Sequence, residues 1–419
     1  MSRFGHPLDP NPTFAVRVRQ ISWPGTVLDA ANRHACPMTD LVRQEIVTET
    51  DTLVVKVGTR VLTGDDGRLD ERQVENLAEQ LHVVAQGGRR VALVSSGAVG
   101  AGMGVLGLAD RPQSLPQLQA AAAVGQAFLV QIYDRSLRKH GRHASQILLT
   151  AGDFDDRQRY LNVRNTLLTL FEWDAVPIIN ENDTLSVEEL QTTFGDNDRL
   201  AALVTNLLRA PLLVILSDVE GLYDGDPQVA GSQVIPTVTQ IDNSIWSHVR
   251  DGANDRSRPG KGGMASKLNA AAIATGAGEN VIIASGRRPD TLQRILAGET
   301  VGTLFLAQGT TVKARKRWIG YTVQPRGYLV LDDGARRAVS QQGRSLLPIG
   351  ITDCGGEFDR GDVVAIRDTS GNEFARGLTN YPCADLLRIK GLRTDAIASV
   401  LGSCPYEEVI HRDNLLVTG

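Results

Sequence analysis

From Thr52 to about Ala307 the chain alternates short apolar runs with longer amphipathic stretches. Leu53–Val57, Val91–Ser95, Gln146–Leu149, Val176–Ile179, Leu212–Leu216 and Val281–Ala284 are brief and mostly apolar, and they predict strands. Between them, Glu71–Ala85 places Val74, Leu77, Ala78, Leu81, Val84 and Ala85 on one helical face, with Gly87-Gly88 as its stop. Leu118–Leu137, Gln158–Phe171, Leu200–Leu208 and the small-residue stretch Met264–Thr275 predict further helices. Repeated strand–helix units imply an α/β fold, a mostly parallel central sheet sandwiched by helices.

The pattern changes at both flanks. After about Ala314, Tyr328–Leu331, Val363–Ile366 and Leu415–Val417 are short β-runs, and Asp332-Asp333-Gly334, Gly355-Gly356 and Ser370-Gly371-Asn372 read as turns. Together they predict a small β-rich barrel of roughly a hundred residues. Pro7, Pro10, Pro12, Pro24 and Pro37 punctuate the start, where neither a helical nor a strand period survives. The expected organisation is a flexible N-terminal extension over 1–48, an α/β domain over 49–310 and the β-rich domain over 320–419. Met38 is an alternative start, since orderly patterning begins soon after it. The basic junction Lys313, Arg315, Lys316 and Arg317 reads as a solvated linker.

A chain of 419 residues is too long for one ordinary domain, and 42% hydrophobic residues suffice for sizeable cores. The formal charge of −4 gives no reason to expect strong nonspecific nucleic-acid binding. Cys36, Cys354, Cys383 and Cys404 are scattered without a CxxC pair, which argues against zinc and disulfide frameworks and for a reducing cytoplasm. No apolar run approaches the roughly 20 residues that span a bilayer, and the N-terminus lacks the apolar core of a secretory signal.

Candidate chemistry collects at strand ends, where open α/β sheets build ligand crevices. Lys56 stands near the end of the first run, in Val54-Val55-Lys56-Val57-Gly58-Thr59, where it could meet phosphoryl oxygens or simply be solvated. Ser96-Gly97-Ala98 could form an anion-binding nest or an ordinary turn. Asn180-Glu181-Asn182-Asp183 packs four hydrogen-bonding side chains directly after a strand; Asp183 could accept from an ammonium group, the amides could donate to a carboxylate, and a divalent metal is an alternative. Gly195-Asp196-Asn197-Asp198 is similarly dense and doubles as a helix cap. Ser217-Asp218 ends another strand. Gly260-Lys261-Gly262-Gly263-Met264 opens the helix bearing Lys267, as either a phosphate cradle or a loop. The Walker, HRD and DFG signatures are missing, and the seven histidines form no catalytic pattern. A phosphotransferase acting on a carboxylate would need no base, because its nucleophile is already ionised at neutral pH.

In this order the segments resemble the glutamate 5-kinase family, enzymes of the amino-acid-kinase fold. The likeness rests on Lys56-Val57-Gly58-Thr59, Ser96-Gly97-Ala98, Asn180-Glu181-Asn182-Asp183, Gly195-Asp196-Asn197-Asp198, Gly262-Gly263-Met264 and Val301-Gly302-Thr303-Leu304-Phe305. Ser345-Leu346-Leu347-Pro348 and Gly361-Asp362-Val363-Val364 resemble the PUA domain appended to many such kinases. The resemblance implies phosphorylation of L-glutamate by ATP to L-glutamyl 5-phosphate, the first step of proline biosynthesis, with Mg²⁺ carried by ATP. It implies that Lys56 and Lys267 stabilise the moving phosphoryl group and Asp198 orients them. Ser96, Asp183 and Asn197 would bind glutamate. Lys56, Ser217, Asp218, Lys261, Gly262, Gly263, Met264, Ala265, Ser266 and Lys267 would line the ATP site, with no protein-held metal. Feedback inhibition by proline, delivery of product to a glutamyl-phosphate reductase and a homo-oligomer are also implied. Lys261 departs from the family's usual threonine. One alternative is a relative acting on acetylglutamate or aspartate, which is not expected to carry a PUA tail; the other is a PUA-type RNA-binding protein, which would not need both Lys56 and Lys267.

Overall fold

The computed structural model describes residues 40–64, 66–185, 197–229, 231–251, 263–308, 318–404 and 406–418. Strand β1 (Thr52–Val57) is buried at every position. Leu53, Val55 and Val57 enter one core and Val54 enters another, because successive strand side chains point to opposite faces. The same alternation assigns Lys56 to the Val54 face. That face is covered by the helices Asn197–Leu208 and Met264–Ala277, through Leu203, Val204, Leu207, Leu268, Ala271 and Ala274. The opposite face carries the helices Glu71–Gln86 and Leu115–Arg138.

The remaining strands of this sheet are β2 (Arg90–Val94), β3 (His143–Leu149), β4 (Ala175–Glu181), β5 (Leu212–Ser217), β6 (Thr237–Val238), β7 (Asn280–Ser285) and β8 (Thr303–Phe305). Their order is β3-β4-β2-β1-β5-β7-β8-β6. All neighbours are parallel except β7 and β8. The expected sandwich of helices around a mostly parallel sheet is therefore present. Strand β1 lies between β2 and β5, so the chain leaves it in both directions, and a crevice opens there beyond the strands' carboxyl ends.

One helix escapes the periodicity argument. Ala98–Leu106 contains Gly100, Gly102 and Gly104, poor helix formers, yet it is helical and packs against Leu115–Arg138. The glycines permit that packing: a Cβ on Gly102 would lie 1.8 Å from Ala121 O, and one on Gly125 would lie 1.9 Å from Ala98 O. Gly97 caps the helix at φ 100°, a left-handed conformation that a side chain would strain.

The expected extension reaches to residue 48, and its last described part is ordered differently from that expectation. Leu41–Glu49 is a helix. Its anchor is an arginine rather than an apolar stripe, which is why no hydrophobic period marks it. Arg43 is buried and donates to Val301 O at 2.7 Å, Pro236 O at 2.6 Å and Gly302 O at 3.1 Å.

The C-terminal sheet has the order β10-β9-β11-β12-β13, with β9 Gly327–Leu331, β10 Ile351–Gly356, β11 Val363–Arg367, β12 Glu373–Leu378 and β13 Leu415–Val417. Leu329, Ile366, Tyr381 and Ile410 belong to its separate core. Two expected turns are corrected here. Asp332-Asp333-Gly334 starts the helix Asp333–Ser340, because Asp332 Oδ1 accepts from Ala335 N at 2.7 Å and caps it. Gly355-Gly356 ends β10 instead of forming a turn, since both residues pair with β9. The two domains are tied by Trp318, whose Nε1 donates to Phe154 O at 2.9 Å, and by Gln324 N donating to Asp155 Oδ1 at 3.2 Å. No helix among the described residues is long and apolar enough to cross a membrane.

Gly102→Ala is expected to destabilise the protein by about 3 kcal/mol through overpacking against Ala121. Gly104→Ala, with open space around its Cβ, should be neutral or slightly stabilising. Urea unfolding of both variants measures the contrast.

Candidate active site

Three charged groups meet at the carboxyl end of β1. Lys56 Nζ lies 2.5 Å from Asp198 Oδ1, and Lys267 Nζ lies 3.2 Å from Asp198 Oδ2. Ser266 Oγ donates to Oδ2 at 3.3 Å. Asp198 is 0% exposed, and Lys56 and Lys267 are 4% and 5% exposed. Each partner comes from a different element: the sheet, the first turn of Asn197–Leu208 and the first turn of Met264–Ala277. Burial alone would raise the Asp198 pKa; attraction to Lys56 and Lys267, with their hydrogen bonds, outweighs it and holds the carboxyl below the usual carboxylate range. Two ammonium groups around one carboxylate sum to one positive charge in a nearly dry place. Such an arrangement attracts an anion and resists protonation of its own aspartate.

Polar side chains from the other sheet face close the crevice. Asn180 has the parity of Ile178 and therefore faces the Leu115–Arg138 helix. Its Nδ2 donates to Gln126 Oε1 at 2.7 Å, and its Oδ1 accepts from Glu181 N at 2.9 Å. Asn197 joins the two faces: its Nδ2 shares its protons among Asn180 Oδ1 at 3.0 Å, Ser96 Oγ at 2.9 Å and Ser95 O at 3.1 Å. Beneath the turn, Ser95 Oγ lies 3.3 Å from the buried Tyr133 hydroxyl, whose pKa is driven up chiefly by burial. Asp183 is buried in the turn after β4.

Ser217 and Asp218 end β5, one strand over from Lys56. Ser217 Oγ donates to Asp218 Oδ1 at 3.1 Å, and Arg60 Nη1 donates to Asp218 Oδ2 at 3.2 Å. Partial burial raises the Asp218 pKa, but the Arg60 hydrogen bond and its allies leave it lowered overall. Gly263 is the N-cap of the Met264–Ala277 helix and, as a glycine, brings no capping side chain of its own; helix N-termini favour anions. Met264 is half-buried against the core, and Ala265 is exposed. Gly195, Asp196, Lys261 and Gly262 lie outside the described residues.

The expected residues Lys56, Asp198, Lys267 and Ser266 thus converge, as do Ser96 and Asn197. Asp218 is held by Arg60 and Ser217 rather than by the lysine cluster. Sequence reasoning missed Gln126 and Tyr133, which sit on one face of a helix two turns apart. Their only signal was polar atoms inside an alanine-rich apolar stretch.

This fold and site define a class. The chain belongs to the amino acid kinase family, whose profile matches residues 51–285, and a PUA domain matches residues 327–401. Its relatives include the glutamate 5-kinase of Rhodopirellula baltica, 48% identical over 376 residues that cover 90% of this chain and 96% of that protein. The glutamate 5-kinase of Moorella thermoacetica is 44% identical over 383 residues, covering 91% of this chain and 100% of that protein. Among solved structures, the UMP kinase of Bacillus anthracis matches 62% of this chain and 97% of its own at 13% identity, with a TM-score of 0.41.

A carboxyl whose folded pKa is lowered stabilises the fold above its unfolded pKa, and that contribution disappears as pH falls through the folded value. Asp198→Asn should therefore cost about 3 kcal/mol at pH 7, where two buried lysines lose their counter-charge. The gap from wild type should begin to narrow below about pH 4, where the carboxyl takes up its proton in the unfolded chain, and should close as pH falls through the lower folded value. Urea unfolding of both proteins at neutral and acid pH checks this; a gap independent of pH contradicts it.

Proposed function

We propose that this chain transfers the γ-phosphoryl group of ATP to the side-chain carboxylate of L-glutamate, giving ADP and L-glutamyl 5-phosphate at the entry to proline biosynthesis. The observation that carries the reading is the buried cluster in which Lys56 and Lys267 converge on Asp198. The name shared by the relatives and their nearly full-length overlap with this chain support the choice of glutamate.

The acceptor carboxylate is ionised at neutral pH, so no residue need remove a proton. Catalysis then consists of positioning and of balancing charge on the transferring phosphoryl group. In this reading Lys56 and Lys267 reach the phosphoryl oxygens as negative charge shifts from the nucleotide to the acceptor. Asp198 holds both ammonium groups on one side of the crevice and keeps them apart. Ser96, Asp183 and Asn197 hold glutamate, with Asp183 accepting from its ammonium group. Ser217, Asp218 and the 261–267 segment line the nucleotide site, where the N-terminus of the Met264–Ala277 helix favours phosphate.

Among the described residues no group of three or more His, Cys, Asp or Glu is arranged to hold a metal ion. Independently of that, the resemblance to these kinases has magnesium arrive on ATP's own phosphates, where it would neutralise charge that the lysines do not reach. Proline as a feedback inhibitor, a glutamyl-phosphate reductase as the recipient of the labile acyl phosphate, and a homo-oligomer belong to the same proposal.

Purified protein with ATP, Mg²⁺ and glutamate should release ADP and, with hydroxylamine, yield glutamyl hydroxamate. Acetylglutamate and aspartate in parallel identify the acceptor; folded protein that makes no glutamyl hydroxamate overturns the reading. Lys267→Met should lower kcat by roughly 10²–10³ while moving the glutamate KM much less, as expected for a group used mainly in the transition state. A thermal melt establishes that the variant is folded.

A further inference from the structure

We infer that Gln126 is a positioning residue for the acceptor amino acid, acting through Asn180 and Asn197. The inference rests on the glutamate-kinase reading above and deepens it. Gln126 is 6% exposed, within the Leu115–Arg138 helix. It touches the site through one hydrogen bond, from Asn180 Nδ2 to its Oε1 at 2.7 Å.

Three carboxamides, Gln126, Asn180 and Asn197, form a chain whose direction is set by groups that cannot reverse. The Glu181 N–H can only donate, so the Asn180 atom facing it at 2.9 Å is oxygen. Asn180 nitrogen then faces Gln126, which must offer oxygen. At the other end the Ser95 carbonyl can only accept, so Asn197 presents nitrogen to it at 3.1 Å. Asn197 Nδ2 also donates to Asn180 Oδ1 at 3.0 Å, so the two backbone groups agree on one polarity for the whole chain.

Two atoms are left over. Asn197 Oδ1 and Gln126 Nε2 are buried and make no hydrogen bond among the described residues. The first is an acceptor held fixed beside Ser96, suited to a substrate ammonium group once the crevice is filled. The second shows that Gln126 uses only the oxygen half of its amide. Without that oxygen, Asn180 Nδ2 would be buried unpaired and would turn away to find a partner, taking its support from Asn197. The lysine cluster lies on the opposite face of the sheet and would be left in place. Loss of Gln126 should therefore weaken amino-acid binding and spare phosphoryl transfer.

The test is a comparison of Gln126→Met and Gln126→Glu with wild type in the hydroxamate assay. Methionine fills the space without an acceptor. Glutamate offers an oxygen to Asn180 whether ionised or protonated. Q126M is expected to raise the glutamate KM by about tenfold or more, with kcat and the ATP KM within about threefold of wild type. Q126E should return the glutamate KM to within about threefold of wild type. If Q126M does not fold, Gln126→Asn, whose amide falls one methylene short of Asn180, carries the same expectation. An unchanged glutamate KM overturns the inference, as does a Q126E variant as impaired as Q126M or a joint rise of both KM values. Wild-type protein separates the two possible failures: no glutamyl hydroxamate from wild type defeats the functional reading, whereas normal wild-type turnover with an unaffected Q126M defeats only the positioning role.

Discussion

Asp198 has no exposed surface, and each of its carboxylate oxygens faces an ammonium group. A carboxylate in that position would cost several kcal/mol if either lysine withdrew. The cluster therefore ties β1, Asn197–Leu208 and Met264–Ala277 to one geometry. The surrounding apolar contacts make that constraint strong. Leu203, Val204, Leu268 and Ala271 keep water away, so the charges act across a medium that screens them weakly. Packing of the core and placement of the charges are one problem here, and a change to either is felt by both.

The sheet divides the labour of the site between its faces. The alternation of strand side chains sends Lys56 toward the two buried helices and sends Asn180 toward Leu115–Arg138. The first face gathers charge and the second gathers carboxamides and hydroxyls. Asn197 is the point of contact, adjacent in sequence to Asp198 and hydrogen-bonded to Asn180 and Ser96. The second face depends in turn on Gly102 and Gly125, which let two helices approach until backbone nearly touches backbone. That approach sets Gln126 against Asn180 and Tyr133 against Ser95.

Much of this was legible because burial leaves a periodic trace. Runs such as Leu212–Leu216 and Val281–Ala284 had to be covered on both faces, and the polar groups placed directly after strands had to lie along the sheet's carboxyl edge. What left no trace was structure anchored by other means. The Leu41–Glu49 helix is fastened by Arg43 to three backbone carbonyls, and Ala98–Leu106 is built around glycines. The helix Asp333–Ser340 hid behind a turn signature because an aspartate serves a cap as readily as a turn.

The order of residues along the chain was enough to determine the α/β class, the change of texture near Ala314 and the kinds of side chain at each strand end. Those properties are local: they depend on period, composition and spacing. The family resemblance had already grouped Lys56, Asp198 and Lys267; only the tertiary structure decided the contacts by which they meet, that Asp218 is paired with Arg60, and that Gln126 supports Asn180. Each of these is a contact between residues far apart in sequence. Its geometry is set by strand order and helix packing, and no one-dimensional pattern encodes either.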